Sequence, residues 1–151
     1  VKWLAVQDNI YWKGLGSEFG IYLSIGILIY LLFTNGIPAI NDLMQVVRYI
    51  PLIIIFAAIN SVYEELVYRA SLLSVLESVI GERHALSITT LYFGIGHFYG
   101  APAGIIGIIM SSLLGYILGK SMIETRGFFW AFLLHFFIDF YIYIFSCLHF
   151  V

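Results

Sequence analysis

Long runs without a charged residue divide the chain into apolar segments. No Asp, Glu, Lys or Arg occurs in residues 19–41, 49–63 or 85–119, and Asp139 is the one charge in residues 127–151. An α-helix of about 20 apolar residues spans the roughly 30 Å hydrocarbon core of a bilayer. The run 85–119 is too long for one crossing and is interrupted by Gly and Pro at 100–104. The pattern predicts helices at about 19–34, 46–76, 85–99, 103–119 and 127–149, of which the second is long enough to kink or split near its middle.

The composition identifies these helices as membrane spans. Hydrophobic residues make up 62% of the 151 residues and charged residues 11%, against about 45–50% and 25% in soluble domains. A chain of this composition has too few polar residues to cover the surface of a soluble protein. Its single cysteine cannot form an internal disulfide. The net charge of −2 offers no basic patch, so no nucleic-acid partner is expected. We therefore predict an all-α, polytopic transmembrane bundle of five or six helices, forming a single membrane domain over residues 1–151 within a lipid bilayer.

One apolar segment carries a small residue at every fourth position, namely Ala103, Gly107, Ser111, Gly115 and Gly119. Small residues at this spacing let helix backbones approach closely in lipid. The stripe has two interpretations. It packs against other helices of the same chain, or it forms a homodimer through the face of Gly107, Ser111, Gly115 and Gly119.

Six ionisable residues lie inside the apolar segments: Glu64, Glu65, Arg69, His97, His135 and Asp139. A charged side chain at the bilayer centre costs about 2.5–3.5 kcal/mol even on the insertion scale, so these groups must face one another or a wet cavity. Residues four apart share a helix face, which pairs Glu65 with Arg69. Glu64 points about 100° away from Glu65 and stays free for another partner. Asn60 lies on the same helix face as Glu64, one turn earlier. A structural ion pair and hydrogen-bonded core histidines are the alternatives to an active site.

The same residues form three motifs. Residues 64–69 read EExxxR, residues 93–97 read FxxxH and residues 135–139 read HxxxD. In this order, on successive apolar helices, they resemble the signature of the CPBP family of intramembrane proteases. That family includes the CAAX prenyl endopeptidases of the Rce1 type and the bacterial Abi, or bacteriocin-processing and immunity, proteins. The resemblance covers roughly residues 45–145, which we take as the catalytic core.

The resemblance implies a catalytic role for each of the six residues. Glu64 and His97 would activate a water, while Arg69 would hold Glu65 ionised. His135 and Asp139 would form the oxyanion side, where the family often has Asn in place of Asp139. A neutral Asp139 would donate a hydrogen bond as Asn does, whereas an ionised one would accept from His135 and fix its tautomer. The sequence leaves both options open.

A metal is the alternative to this cofactor-free mechanism. Zinc would be held by Glu64, His97 and His135, with an open position for water. The chain contains no HExxH motif, so the zincin helix is absent. We therefore expect no cofactor and no metal, with zinc as the lesser alternative.

The expected function is intramembrane proteolysis near the membrane anchor of a protein or peptide substrate. Candidate substrates are a lipid-modified CAAX-type C-terminus, a bacteriocin leader and a C-terminal sorting tail. The short chain favours a dedicated bacterial enzyme, a multi-pass protein of the cell membrane and in particular of the bacterial inner membrane. The alternative function is a non-enzymatic immunity protein that binds a bacteriocin or its receptor, in which the polar cluster is structural. A small transporter would also use buried carboxylates, but no inverted repeat is visible.

Overall fold

A computed structural model describes residues 12–150, and every element in that range is helical. The predicted all-α architecture is therefore confirmed for the described residues. In chain order the elements are α1 Trp12–Asn35, α2 Ile40–Val47, α3 Ile50–Glu65, a π-helical segment Leu66–Leu73, α4 Ser74–Ile80, α5 Glu82–Gly96, α6 Gly104–Thr125 and α7 Phe129–Leu148.

Four of the described helices are long and apolar enough to cross a membrane: Trp12–Asn35, Ile50–Ile80, Gly104–Thr125 and Phe129–Leu148. This finding agrees with a multi-pass membrane protein but does not confirm the predicted number of five or six helices. The difference arises at α5, which has 15 residues and ends three residues before its predicted end. The chain turns there, because the backbone N–H of His97 bonds the carbonyl of Gly94 rather than that of Phe93.

The long helix Ile50–Ile80 changes its winding near its middle, as the sequence suggested. The π-helical segment Leu66–Leu73 separates α3 from α4 without breaking the helical path. Such segments are frequent at functional sites, because the wider turn rotates the following side chains. The predicted start of this helix at residue 46 is wrong. A turn at Arg48 and Tyr49 separates α2 from α3, and Pro51 lies in the first turn of α3, where its missing N–H costs nothing.

The small-residue stripe of α6 packs inside the chain. A Cβ on Gly115 would lie 2.9 Å from Cδ1 of Phe93, and a Cβ on Gly119 would lie 2.6 Å from Cδ1 of Leu86. These glycines therefore let α5 approach the backbone of α6. Gly107, Ser111, Gly115 and Gly119 are all buried. A homodimer through this face is not supported, because the face is already covered by the same chain.

Helix α7 occupies the centre of the bundle, where it packs against α1, α3 and α6. Its apolar contacts form the main core, which contains Ile27, Leu31, Leu114, Leu118, Ala131, Leu134, Ile138 and Phe145. The two polar residues of its HxxxD motif are buried beside this core. The position of α7 therefore fixes where those residues lie.

The long helices alternate in direction, so the bundle has two ends. At one end, Lys120 contacts Glu82 at 2.7 Å, which joins the α4–α5 junction to the C-terminal part of α6. We call this the Lys120 end, and it also holds the start of α1, since Trp12 Nε1 donates to Glu124 at 3.2 Å. At the opposite end, Asn35 lies 3.1 Å from His149. This Asn35 end also holds α2 and the α5–α6 connection.

Candidate active site

Three motifs from distant parts of the chain meet between α3, α5 and α7. Each motif has its polar side chains on the face that its helix turns toward the other two. The structure brings together all six residues that the sequence singled out, namely Glu64, Glu65, Arg69, His97, His135 and Asp139. Their arrangement has an inner, fully buried part and an outer part that faces a cavity.

The inner part is built on Glu65, which is completely buried. Its Oε1 accepts hydrogen bonds from Nη1 of Arg69 at 2.9 Å and from Nδ1 of His135 at 2.7 Å. The guanidinium of Arg69 also stacks on the ring of Phe93, 4.0 Å from its centroid. An ionised Glu65 only accepts hydrogen bonds, so His135 carries a hydrogen on Nδ1. The other ring nitrogen, Nε2, is left to face the cavity.

Glu64 forms the outer part of the site. Its Oε1 accepts a hydrogen bond from the side-chain amide of Asn60 at 3.2 Å. Its Oε2 is buried and has no hydrogen-bond partner among the described residues. This oxygen lies 3.6 Å from Nε2 of His97 and 3.6 Å from Nε2 of His135. Both distances exceed a direct hydrogen bond but lie within the reach of one bridging water.

His97 is oriented by the helix that precedes it. Its Nδ1 lies 2.7 Å from the backbone carbonyl of Phe93, and a carbonyl only accepts, so Nδ1 carries the hydrogen. In the neutral ring, Nε2 is therefore an acceptor that points at Glu64. The two histidines thus present equivalent nitrogens to one carboxylate oxygen. These three atoms are all acceptors when both rings are neutral. A proton shared between them, or a water that donates hydrogen bonds to them, would satisfy them.

Asp139 is bound by α3 rather than by its neighbour on α7. Its Oδ2 accepts hydrogen bonds from Asn60 at 3.1 Å and from Ser61 at 2.9 Å. Its Oδ1 is 3.6 Å from Nε2 of His135, which is too far for a hydrogen bond. The option that Asp139 fixes the tautomer of His135 therefore has no direct hydrogen bond behind it. Glu65 makes the direct contact instead, at 2.7 Å from Nδ1 of His135.

Ser61 is a residue of the site that the sequence reasoning missed. It is fully buried, and its hydroxyl lies within hydrogen-bond distance of Asp139 and of the carbonyl of Ala57. Helical spacing could have found it, because Ser61 precedes Glu65 by one turn and shares its face. Asn60, noted from the same spacing, contacts the carboxylates of both Glu64 and Asp139. These two residues tie the first and third motifs together.

A cavity of about 450 Å³ lies beside the cluster. Its polar lining consists chiefly of Asn60, Glu64, His97, His135 and Asp139, and its apolar lining includes Leu23, Ile27, Met110, Leu114, Ile138 and Ile142. The cavity therefore places ionisable groups at the edge of an apolar chamber. Concave sites of this size with a few converging polar groups are typical of ligand sites.

The donors of the zinc alternative do not form a metal site. Over residues 12–150, no group of three or more His, Cys, Asp or Glu side chains has an arrangement that could hold a metal ion.

The chain matches the family model described as type II CAAX prenyl endopeptidase Rce1-like over residues 46–141. The matched segment is more than half of the chain, and it contains all three motifs and both α3 residues that connect them. Neither a curated protein nor a solved structure matches the chain significantly.

Proposed function

Because the chain belongs to the type II CAAX prenyl endopeptidase Rce1-like family, we propose that it hydrolyses a peptide bond near the membrane anchor of a protein or peptide substrate. Family membership and the apolar helices make it a multi-pass membrane protein of a protease family. The observation that carries the proposed chemistry is the convergence of two histidine Nε2 atoms on the unpartnered Oε2 of Glu64. In this proposal the membrane is the bacterial inner membrane.

In this proposal Glu64 is the general base. A water between Glu64 and His97 gives one proton to the carboxylate while its oxygen attacks the scissile carbonyl carbon. The new C–O bond produces a tetrahedral oxyanion. When the C–N bond breaks, the proton held by Glu64 moves to the leaving nitrogen, and the substrate is released as a carboxylic acid and an amine. The distance of 3.6 Å between Oε2 of Glu64 and Nε2 of His97 supports this order of steps, because both atoms can accept hydrogen bonds from the same water.

His135 is proposed to stabilise the oxyanion. Its Nδ1 hydrogen is already donated to Glu65, so Nε2 becomes a donor only when the ring is an imidazolium. The carboxyl groups of Glu64, Glu65 and Asp139 surround this ring. With Arg69 as the only permanent cation of the cluster, a proton on His135 offsets part of the remaining negative charge. The ring then presents a charged hydrogen bond to the cavity.

Glu65 and Arg69 are proposed as positioning residues. They hold His135 in one orientation and take no part in proton transfer. Asn60 has the same kind of role. Its two amide hydrogens bond the carboxylates of Glu64 and Asp139 and so restrict the rotation of both side chains. A hydrogen bond of this kind is needed because catalytic geometry tolerates little misplacement.

The proposal is tested by substitution of Glu64 in the intact membrane protein. Glu64→Gln and His97→Ala are co-expressed with membrane-anchored candidate substrates, and a new terminus is sought by mass spectrometry. We expect each variant to lower cleavage by at least about 100-fold, the usual contribution of a general base. The matched control is Glu77→Gln, whose carboxylate pairs with Arg126 away from the cavity; it should retain cleavage.

Two outcomes would contradict the proposal. Retained processing by both variants at normal expression would favour the non-enzymatic immunity or binding function, in which the polar cluster is structural. The cofactor-free mechanism is tested separately with a zinc chelator. We expect unchanged cleavage after chelation, whereas a loss that added zinc restores would favour the metal mechanism.

A further inference from the structure

The short helix α2 has an apolar side that the described residues leave uncovered. Val46 is its one buried residue, and α2 packs against α7. Four large apolar side chains of α2 are instead between 39% and 70% exposed, namely Ile40, Leu43, Met44 and Val47. Their spacing of three and four residues places them in one line along the helix, which we call the α2 stripe. The α2 stripe therefore has no cover among residues 12–150.

The position of α2 places it at a membrane surface. It joins the two membrane-spanning helices Trp12–Asn35 and Ile50–Ile80 at the Asn35 end of the bundle. Its eight residues extend about 12 Å, since each residue of an α-helix rises 1.5 Å. A helix of this length cannot cross a hydrocarbon core of about 30 Å. Because a spanning helix reaches the bilayer surface at each of its ends, α2 lies at that surface.

The residues of α2 form three sectors around its axis. Val46 marks the sector that packs on α7. At 100° per residue, the α2 stripe occupies the next sector, about 100° wide, and Asn41 and Gln45 lie beyond it. Both of these polar residues are exposed. A helix that lies in the plane of a membrane interface has this division, with its apolar face toward the acyl chains and its polar face toward water.

Two neighbouring features favour lipid as the cover of the α2 stripe. The exposed apolar surface continues on both sides of α2, at Phe33 and Ile37 before it and at Leu52 after it. The exposed Arg48 follows directly, and at 100° per residue it falls between the stripe and the polar sector. An arginine at such a boundary lays its apolar stem along the stripe while its guanidinium binds lipid phosphate. Arg48 also lies 4.8 Å from the ring centroid of Tyr49, a residue type enriched at the headgroup level.

We propose that α2 is an interfacial anchor that lies in the plane of the bilayer surface. Its stripe inserts among the acyl chains of phospholipids, and Arg48 binds their phosphate groups. Asn41 and Gln45 face the water. Because α2 packs against α7, the anchor holds the helix that carries His135 and Asp139 at a fixed depth in the membrane. This anchoring does not depend on the proposed hydrolysis.

The position of α2 is tested with spin labels at two adjacent residues of the full chain. Cys147→Ser removes the one native thiol, and Met44→Cys or Gln45→Cys is then added and labelled with a nitroxide. Both positions are exposed, so the fold should accept the label. Position 44 reports the α2 stripe, and position 45 is its matched control in the polar sector. The proteins are reconstituted into vesicles of phosphatidylcholine and phosphatidylglycerol.

Collisions of the two labels with apolar oxygen and with a water-soluble nickel chelate are then compared. We expect the ratio of oxygen to nickel collisions to be several-fold higher at position 44 than at position 45. Preferential collision with nickel at both positions would place α2 in water and would overturn the proposal. Few collisions with either reagent at position 44 would also overturn it, because a protein surface, such as a second copy of the chain, would then cover the stripe.

A second measurement uses the native sequence and so does not depend on the folding of these variants. A phospholipid with a photoactivatable diazirine in its acyl chain is cross-linked to the protein in the same vesicles, and the adducts are located by mass spectrometry. We expect adducts on residues of the α2 stripe and also on Phe33, which is 88% exposed on a membrane span and serves as the positive control. Adducts on Phe33 with none on the α2 stripe would refute the interfacial position.

Discussion

Glu64 and Glu65 are adjacent in sequence, yet substitution of Glu64 should affect cleavage and substitution of Glu65 should affect stability. Glu65 is completely buried and pairs with Arg69, which is 2% exposed, whereas Glu64 is 19% exposed and lines the cavity. Glu64→Gln should therefore abolish cleavage with little change in stability. Glu65→Gln and Arg69→Met should each destabilise the fold, because each leaves the other member of a buried pair without its charge partner.

The magnitude follows from the geometry of the pair. At an N–O distance of 2.9 Å, the charge centres are about 4 Å apart, which gives about 4 kcal/mol at an effective dielectric constant of about 20. Breaking buried pairs costs about 3–5 kcal/mol, a large part of a typical stability of about 5–15 kcal/mol. The two single variants should not be equal. A buried carboxyl can take up a proton and become neutral, whereas a guanidinium cannot lose its charge, so Glu65→Gln should cost more than Arg69→Met.

The assay is denaturant unfolding in detergent micelles, followed by tryptophan fluorescence. The double variant, Glu65→Gln with Arg69→Met, should lose less than the sum of the single variants, because no uncompensated charge is left buried. The matched control is Glu77→Gln, which removes an ion pair whose Arg126 side chain is 71% exposed and should cost under about 1 kcal/mol. A cost below about 1 kcal/mol for both single variants would refute the assignment of the pair as the structural anchor of the site.

Two further predictions concern packing and hydrogen bonding. Ser61→Ala removes a donor to Asp139 and should lower the free energy of unfolding by about 1 kcal/mol. The rate of cleavage should also fall, because the Asp139 side chain becomes more mobile. An unchanged rate would contradict this role. Gly94→Ala places a Cβ against Ser112 and against the backbone carbonyl of Ile108, and should destabilise by about 1–3 kcal/mol. Gly14→Ala is the control, because nothing lies within 4 Å of the added Cβ. If Gly94→Ala and Gly14→Ala changed the free energy of unfolding equally, close packing of α5 on α6 would be contradicted.

The sequence predicted which residues meet because membrane burial leaves few choices for a charge. The four-residue spacing of Glu65 and Arg69 placed both on one helix face, and the structure joins them at 2.9 Å. The same reasoning placed Asn60 beside Glu64, which the structure also shows. Periodicity within one helix thus predicts local pairs well. Whether these residues catalyse a reaction stays a prediction until the variants are assayed.

Contacts between helices were harder to predict than contacts within one. The partner of His135 could equally have been Asp139, four residues away on the same helix, but the hydrogen bond goes to Glu65 on another helix. That choice depends on the rotation of α7 against α3, which is set by core packing and has no local sequence signal. The short α5 was missed for a similar reason, since the end of an apolar run does not show where the backbone turns.

The adjacency of the two glutamates explains how a carboxylate with one unpartnered oxygen can line a cavity inside a membrane domain. Consecutive helix positions point about 100° apart, so one carboxyl faces the interior while the next faces the cavity. Glu65 uses its interior position to bind Arg69 and His135, and its hydrogen bond to His135 joins α3 to α7. The same backbone carries Glu64, so the contacts of Glu65 help to hold Glu64 toward Nε2 of His97 and Nε2 of His135. Oε2 of Glu64 has no hydrogen-bond partner among the described residues, and the same is true of Oε2 of Glu65 and Nη2 of Arg69. The apolar core offsets the cost of these atoms, which is the pattern expected where activity requires unsatisfied groups.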